Sequence, residues 1–429
     1  MSPHRVAAML LASFSLLVPR PGSSQGTTMA GAELTLTLAD AQERARRVSP
    51  ALRSAREAAT AADARARQAS AFANPTISFQ REQTSRGTQE NSQNIVTVDQ
   101  PIEFGLRPAR REAAAHRSEA AAARVRDVES QLALDVTRAY ADALATDRRA
   151  ALAHEAATAF ERARRVSDER VAAGDISGYA NRRIRMEAAR YAVLRAQALL
   201  GQGNARRTLA ALIAPSTSAL GDAALVLVEP TLAAGAPQPV DSLVALALTH
   251  RDELVAIRLD GKAAQADAAL VSRERWPTPV ITGGLKTEEQ TGIGALSGIA
   301  VGVALPLPLW DRRRGAIDAA AADARRAESA VALVRRRIEF EVRDAAASLH
   351  VVDEQLALLR PVLGEESTLA LRAAALAYTE GEIALVEWLD AVRAYHEAES
   401  AFATLRAELI IHRAALDRAV GLPLRRSAQ

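Results

Sequence analysis

The sequence carries one order of segments twice, and this internal repeat limits the folds that the chain can adopt. The equivalent residues Val125 and Val331 are 206 positions apart. A period of this size is too long for a solenoid and is typical of a duplicated half-molecule. We therefore predict a first half over 33–213 and a second half over 240–429. The proline- and glycine-rich residues 214–239 between them are predicted to be a linker or a small side structure.

A long tract in each half has small or apolar residues at intervals of three and four, close to the spacing of a coiled coil. This spacing predicts long helices over 106–172 and 311–378. Pro361 should kink the second helix, and the first has no counterpart to it. The second stripe includes Val331, Val334, Ile338, Val342, Ala345, Leu349, Val352 and Leu356. The first includes Val125, Val128, Leu132, Val136, Ala139 and Ala143.

Each long helix is predicted to end at a glycine that is followed by an acidic residue, Gly174 before Asp175 and Gly381 before Glu382. Return helices are expected over about 182–213 and 385–420. Each half therefore ends in a helical hairpin. The helical stripes alone leave an ordinary coiled-coil rod as an equally good interpretation.

A short segment of the second half alternates between large apolar and small residues, which is the period of a strand. The apolar positions are Ile299, Val301, Val303 and Leu305. The small positions are Gly298, Ala300, Gly302 and Ala304. An oily face and a face of small residues are typical of a strand with lipid outside and a lumen inside. The first half has a weaker version of the pair, with Ile77, Phe79, Val96 and Val98.

These patterns predict membrane strands over about 74–104 and 277–309. Trp276, Trp310 and Phe104 lie at the feet of the strand pairs, where aromatic rings favour the boundary between hydrocarbon and water. Four strands are too few to close a transmembrane barrel, and an open edge in lipid leaves backbone groups unpaired. Three copies would supply about twelve strands. The alternative for either pair is a soluble flap that packs on the helices.

Residues 1–32 have the pattern of a secretory signal peptide. His4 and Arg5 precede an apolar run from Val6 to Val18, which is too short to span a bilayer, and small residues follow. The chain has no cysteine, so it forms no disulfide and carries no thiolate metal site. We therefore predict an exported protein.

Composition and motifs argue against several classes of function. The 54 basic and 51 acidic residues alternate along the helical tracts, as on solvated helix faces, which argues against a nucleic-acid partner. The seven histidines are dispersed without metal-ligand spacing. No phosphate loop or serine elbow is present. We predict no enzyme, no cofactor and no metal site.

Several quoted segments, taken in order, resemble the TolC-like outer-membrane efflux proteins. They are "NPTISF", "QPIEFGLRPARREAA", "PLPLWDRRRGAIDAA" and the tip motifs "GDISGYANRRIR" and "GEIALVEWLDAVR". The match covers essentially the whole mature chain. Within the family, "LPLPLWDRRRG" is most similar to the branch of heavy-metal exporters of the CzcC and CusC kind.

The resemblance implies a homotrimer with a barrel in the outer membrane and a helical tunnel through the periplasm. Such proteins are passive ducts, and an inner-membrane pump of the RND type drives export through a periplasmic adaptor protein. The two hairpin tips would form the periplasmic entrance and contact the adaptor. The tip residues are Gly174, Asp175, Ile176, Ser177, Gly381, Glu382, Ile383 and Ala384.

The resemblance also places Glu387 and Asp390 at a constricting acidic ring and Tyr378 at a gate latch. Three residues apart on a helix, the two acids share a face, so three chains would aim six carboxylates at one axis. Such a ring would attract cations. By spacing alone, two solvated acids on an outer face are the alternative. Ala180 and Ile383 stand where the family pattern has a charged pair, so a closed entrance would be held differently or less firmly here.

The predicted fold class is mainly α with a small membrane β part. Long antiparallel helical hairpins would form an α-barrel tunnel, and four strands per chain would contribute to a trimeric β-barrel. The predicted function is that of the outer-membrane channel of a tripartite efflux system, which exports small solutes or metal ions and contacts outer-membrane lipid. The alternative is a secreted or surface coiled-coil structural or adhesion protein without a pore.

Overall fold

The structure is a computed structural model that describes residues 34–86, 89–214, 225–231, 238–290, 292–361, 363 and 365–422. The predicted signal peptide lies outside these residues. The described chain is mainly helical, with one small sheet beside the helices and a larger one at one end. The mainly α architecture predicted from the sequence is confirmed.

The order of helices and strands is repeated along the chain. The first half contains β1 (Leu34–Leu36), α1 (Leu38–Val48), α2 (Pro50–Ala69), β2 (Thr76–Arg86), β3 (Gln89–Pro101), α3 (Leu106–Ala173) and α4 (Gly178–Ile213). The second contains β4 (Leu225–Leu227), α5 (Val240–His250), α6 (Asp252–Arg273), β5 (Val280–Gln290), β6 (Gly294–Ala304), α7 (Arg314–Leu359), α8 (Glu365–Glu380) and α9 (Leu385–Val420). The halves differ mainly in the division of the second long helix.

The central element is α3, an unbroken helix of 68 residues. At about 1.5 Å per residue it is about 100 Å long. Alanine accounts for 14 of its 21 buried residues, and such small side chains let neighbouring helices approach closely. The part of α3 nearer the strands packs against α2 and α6, and the part nearer the hairpin tip packs against α4 and α9. One helix therefore connects the strand end of the molecule to the tip end.

The second long helix is interrupted at Pro361, where we predicted only a kink. The helix α7 ends at Leu359, and α8 begins at Glu365. Proline has no amide hydrogen, and its ring collides with the preceding turn, so the helical hydrogen bonds stop after Arg360 donates to the Leu356 carbonyl at 3.0 Å. The helix also begins three residues later than predicted. Asp311 accepts the Arg313 amide at 2.7 Å and holds Arg313 in a left-handed conformation.

The apolar stripes predicted for the long helices form the packed interior between them. In the second half, Ile338 and Val342 are fully buried against α5, α6 and α9. In the first half, Val136 and Ala143 are fully buried against α1 and α4. The stripes therefore pack helix on helix within one chain, as the coiled-coil spacing predicts.

A parallel pair of three-residue strands joins the two halves. Leu34, Thr35 and Leu36 of β1 pair with Leu225, Val226 and Leu227 of β4. The buried Tyr140 hydroxyl lies 2.6 Å from the carbonyl oxygens of both Leu36 and Val228. Burial raises the pKa of Tyr140 to about 12. A linker or a small side structure was predicted for 214–239, so this pairing was not predicted.

The larger sheet has four antiparallel strands in the order β2-β3-β5-β6. The central pairing joins the halves, with Val96 opposite Leu285 and Val98 opposite Gly283. All four strands lie within the segments 74–104 and 277–309 in which strands were predicted. Among the described residues, β2 and β6 each pair on one side only.

Candidate functional site

The large apolar side chains of the four-stranded sheet lie together on one face, where they are exposed. Ile299 is 80% exposed and Val301 is 77% exposed. The register puts these residues in line with apolar residues of the other three strands. We call this surface the apolar band, formed by Ile77, Phe79, Val96, Val98, Ile281, Leu285, Ile299, Val301 and Val303. An exposed apolar surface that continues across four strands is typical of a membrane or protein contact.

The opposite face of the sheet carries polar and small side chains. Asp99 accepts hydrogen bonds from Ser78 at 3.1 Å and from Thr282 at 2.5 Å, so three strands share one polar cluster. Lys286 and Glu288 form an ion pair at 3.3 Å on the same face. The two faces therefore have the polarity that suits lipid on one side and water on the other.

Aromatic residues lie where the strands meet the helices. Trp276, Trp310 and Phe104 are 67%, 93% and 72% exposed, as a contact with the membrane interface requires. Their assignment to the membrane interface stays a prediction. No helix in the described part of the chain has both the length and the apolar character needed to cross a bilayer.

The two hairpin tips have the same turn geometry. Gly174 (φ 85°) and Gly381 (φ 80°) adopt the left-handed conformation that glycine reaches without steric cost. The next amide in each tip reaches back five residues, from Asp175 to the Arg170 carbonyl at 2.9 Å and from Glu382 to the Ala377 carbonyl at 2.8 Å. This is the Schellman pattern of a helix end. Most of the eight predicted tip residues are exposed, and only Ile176 and Ile383 are half-buried.

The return helices begin in different ways. Ser177 caps α4 and accepts the Ala180 amide at 3.2 Å, so α4 starts at Gly178, earlier than the predicted 182. Ala384 has no side-chain acceptor to cap α9. Instead, the Glu387 carboxylate accepts the Ala384 amide at 3.4 Å. Glu387 therefore satisfies a backbone donor at the second tip, where a negative charge also favours the helix start.

The predicted latch residue Tyr378 lies in an aromatic cluster behind the tips. Its ring stacks on Trp388 at 5.2 Å, and Trp388 contacts Phe160 of α3, also at 5.2 Å. Phe160 stacks in turn on Tyr191 of α4 at 4.3 Å. Burial raises the pKa of the Tyr378 hydroxyl. The cluster joins the two hairpins, and only Tyr378 among its members was predicted to be a functional residue.

The predicted ring acids Glu387 and Asp390 are both exposed and lie one helical turn apart at the start of α9. Asp390 is 3.6 Å from Arg393, which also contacts Glu187 of α4 at 3.2 Å. Arg393 therefore connects Asp390 to the other hairpin. The role of both acids at a constriction between chains stays a prediction.

Charged and polar side chains also connect the two helices of the first tip. Asp168 of α3 accepts hydrogen bonds from Asn181 at 2.8 Å and Arg185 at 2.9 Å, both in α4. These bonds hold the pKa of Asp168 below its usual value. Within the described ranges, no three acidic or histidine side chains are placed to hold a metal ion.

The fold is that of an outer-membrane channel subunit. The solved structure of the outer-membrane channel OprN covers 90% of this chain, and the chain covers 89% of it, with a TM-score of 0.75 at 20% identity. At 20% identity, this similarity shows a shared fold and no more.

Sequence comparisons identify the family. A model described as "Outer membrane efflux protein" matches residues 243–422. The cobalt-zinc-cadmium resistance protein CzcC of Cupriavidus metallidurans is 24% identical over 82% of both chains. The nickel-cobalt-cadmium resistance protein NccC of Alcaligenes xylosoxydans xylosoxydans is 30% identical over 68% of this chain and 66% of its own length. The chain belongs to the outer membrane efflux protein family.

Family membership confirms the predicted function class and location. The protein is an outer-membrane efflux channel subunit that extends into the periplasm. Its homologues are channel proteins rather than enzymes. Channels of this family are trimeric and work with adaptor and pump partners. The alternative of a coiled-coil rod without a pore is therefore not supported.

Proposed function

We propose that three copies of this chain form one duct of a tripartite efflux system, driven by an inner-membrane RND-type pump through a periplasmic adaptor. The apolar band is the observation that carries the proposal. Its strands place large apolar side chains outward and polar groups inward, and the sheet has unpaired edges at β2 and β6 among the described residues. A neighbouring copy would satisfy those edges, because β2 and β6 run in opposite directions and continue the antiparallel order.

An exposed apolar stripe on α4 supports contact between copies. Tyr179, Met186, Val193 and Leu200 are spaced by seven residues and are between 56% and 73% exposed. They lie opposite the face that packs on α3, where Ile184, Ala188 and Tyr191 are buried. A heptad stripe on a free helix face is typical of a coiled-coil seam.

The other edge of the chain offers a matching surface. Exposed apolar residues continue along α7 and α8, again at intervals of seven: Leu333 and Phe340, Val351 and Leu358, Leu369 and Leu376. In the half of the molecule nearer the tips, α3 and α9 lie between α4 on one side and α7–α8 on the other, so α4 and α7–α8 form the two edges there. Packing α4 of one copy on α7–α8 of the next would close the helical tunnel along the same seam as the strands.

The hairpin tips would then surround the periplasmic entrance. Their exposed turns at Gly174 and Gly381 suit contact with the adaptor, because each turn presents backbone at the far end of a rigid hairpin. Glu387 and Asp390 lie three and six residues after Ala384, the last residue of the second tip, so three copies would gather six carboxylates there. Tyr378 would stabilise the closed tip through its stack on Trp388.

The cargo would be small solutes or metal ions. CzcC and NccC carry metal resistance in their names, which favours divalent metal ions as the first cargo to test. The channel would pass such ions without holding them tightly, and an acidic entrance attracts cations without needing a ligand set. An export assay in a strain that lacks this chain, with cobalt, zinc and cadmium, would test the cargo.

Single-channel recording on the purified full chain tests the duct. The wild-type protein should form trimers that conduct ions across a planar bilayer. Met186→Glu with Val193→Glu places charges in the α4 stripe and should abolish both trimers and conductance. The matched control is Ala192→Glu with Leu199→Glu, exposed positions of α4 that are also seven residues apart but lie about a third of a turn away from the stripe. Equal assembly of the two variants would contradict the seam, and a non-conducting wild-type trimer would contradict the duct.

A further inference from the structure

Arginines cluster where the four strands of the sheet meet the helices. The connecting segments 102–112, 273–279 and 305–314 contain eight arginines and four acidic residues. No acidic residue falls in the fourth connection, 70–75. We call the eight the basic collar: Arg107, Arg110, Arg111, Arg273, Arg275, Arg312, Arg313 and Arg314.

Contacts between the segments hold the collar at one level. The Ile102 amide donates to the Pro279 carbonyl at 2.8 Å, and Arg273 donates to the Gly105 carbonyl at 2.9 Å. Arg313 forms an ion pair with Glu274 at 2.8 Å. These contacts connect all three arginine-bearing segments, so the collar crosses the width of the sheet.

Four of the eight collar arginines form hydrogen bonds or ion pairs with other residues of the chain. Arg110 pairs with Glu103 at 3.0 Å, which lowers the pKa of the Glu103 carboxyl. Arg107 donates to the Ser70 carbonyl at 2.6 Å and covers the Phe72 ring at 3.9 Å. The other half is exposed and makes no ion pair with any residue that the structure describes: Arg111, Arg275, Arg312 and Arg314. These four retain their charge for an external partner.

The order of residue types along the chain fits a bilayer edge. Proceeding from the apolar band, the chain passes the exposed Leu307, Leu309 and Trp310 and then reaches Arg312. Trp276 likewise precedes the apolar band and follows Arg275, whose guanidinium lies 5.4 Å from the indole centroid. The apolar residues, the tryptophans and the arginines thus follow each other in the same order as the lipid tails, the interface and the headgroups of a bilayer leaflet.

The opposite end of the sheet lacks this excess of positive charge. The segments 81–94 and 286–297 together contain three basic and four acidic residues. The collar therefore distinguishes the two ends of the sheet, and a bilayer with anionic headgroups on the periplasmic side would match it.

We propose that the basic collar binds the headgroups of anionic phospholipids in the periplasmic leaflet of the outer membrane. This inference rests on the proposed duct, because it requires the apolar band to lie in the bilayer. Arg111, Arg275, Arg312 and Arg314 contact the lipid phosphates, and Trp276 and Trp310 pack against the adjoining glycerol region.

Native mass spectrometry of the full-chain trimer tests the collar. The trimer is equilibrated in detergent with equal amounts of phosphatidylglycerol and phosphatidylethanolamine of the same acyl chains, and the ratio of the two retained lipids is read. Wild type should favour phosphatidylglycerol. The variant Arg111→Gln, Arg275→Gln, Arg312→Gln, Arg314→Gln should lower that ratio at least about fivefold, since each surface arginine contributes about that factor to anionic lipid binding.

A matched control removes four exposed arginines of the periplasmic helices, at Arg162, Arg165, Arg195 and Arg336. It should keep the wild-type ratio. An unchanged ratio in the collar variant, or an equal fall in the control, would overturn the proposal. If the fourfold variant fails to form trimers, Arg312→Gln with Arg314→Gln applies the same test, and an unchanged ratio there overturns it. A wild-type trimer that conducts ions without lipid preference overturns the collar and leaves the duct intact.

Discussion

The ring of Tyr378 stacks on the indole of Trp388, with centroids 5.2 Å apart and planes inclined by 15°. Tyr378 lies three residues before Gly381 and Trp388 lies seven residues after it, so the stack spans the second hairpin tip. Trp388 is 5% exposed and also contacts Phe160 of the first hairpin. The stack therefore connects the turn of one tip to the core that the two hairpins share.

Removing the ring should loosen this tip. Tyr378→Ala loses a half-buried aromatic side chain and its stacking, which together contribute about 1–2 kcal/mol. Hydrogen exchange of the amides in residues 377–388 should accelerate about tenfold. Tyr378→Phe keeps the ring and should exchange as wild type does. Equal exchange in the alanine variant would show that the stack does not hold the tip.

The two faces of β6 should respond oppositely to the same charge. Ile299→Glu puts a carboxylate into the apolar band, at a cost of about 2 kcal/mol or more. Gly298→Glu is the neighbouring residue on the inner face, where an added Cβ meets no atom within 4 Å and Lys286 lies opposite. The yield of folded protein in outer membranes should fall sharply for the first variant only. Equal yields would place the apolar band outside lipid.

The acids near the second tip should set ion selectivity. Glu387→Gln with Asp390→Asn removes two charges per chain and keeps an oxygen that can accept the Ala384 amide. Reversal-potential measurements in a salt gradient should show a weaker preference for cations. Glu387→Asp with Asp390→Glu keeps the charges and should keep the preference. Unchanged selectivity in the neutral variant would remove both residues from the pore.

The hairpin core should weaken in acid through His396. Burial lowers the pKa of His396, although Glu397 acts in the opposite direction. The folded protein therefore binds the proton more weakly than the unfolded chain, and the neutral ring favours folding at pH above about 6.5. This contribution is lost as the pH falls through 6.5 towards the folded pKa. The Nε2 atom of His396 is buried without a hydrogen-bond partner in the described structure. The N–H group that protonation creates there would therefore find no acceptor nearby.

Thermal unfolding at pH 7.5 and 5.5 measures this effect. The melting temperature should fall in acid, and His396→Gln should reduce the difference between the two pH values. His154→Gln changes an exposed histidine on α3 and should leave the difference as in wild type. An equal pH dependence in the His396 variant would assign the acid sensitivity to other groups.

Local periodicity was sufficient to predict the long helices and the strands. The stripe through Ile338 and Val342 is buried as the heptad spacing predicts, and the large residues of 299–303 occupy one face of a strand. The pairing of β1 with β4 was not predictable in this way. Two strands of three residues carry no periodic signal, and their contact depends on Tyr140, which is 104 positions from Leu36 and 88 positions from Val228 in the sequence.

The candidate site was predicted only in part, because the family resemblance indicated which residues lie at the tips but not which side chains they contact. It placed Tyr378, Glu387 and Asp390 near the second tip, and the structure has them there. It did not reveal that Glu387 accepts the Ala384 amide or that Arg393 joins Asp390 to Glu187. Such contacts depend on the packing of α9 against α4, which no sequence spacing encodes. Their roles in gating stay predictions.

Cysteine cross-linking across the seam between copies tests the shared duct most directly, because the native chain has no cysteine to interfere. Phe79 on β2 is replaced by cysteine in combination with cysteine at Ile299, Val301 or Val303 on β6, since the stagger between copies decides which pair meets. At least one pair should give covalent dimers and trimers, with no larger product, after oxidation in intact outer membranes. Monomers alone from all three pairs, or a ladder that continues beyond the trimer, would contradict a closed ring of three copies.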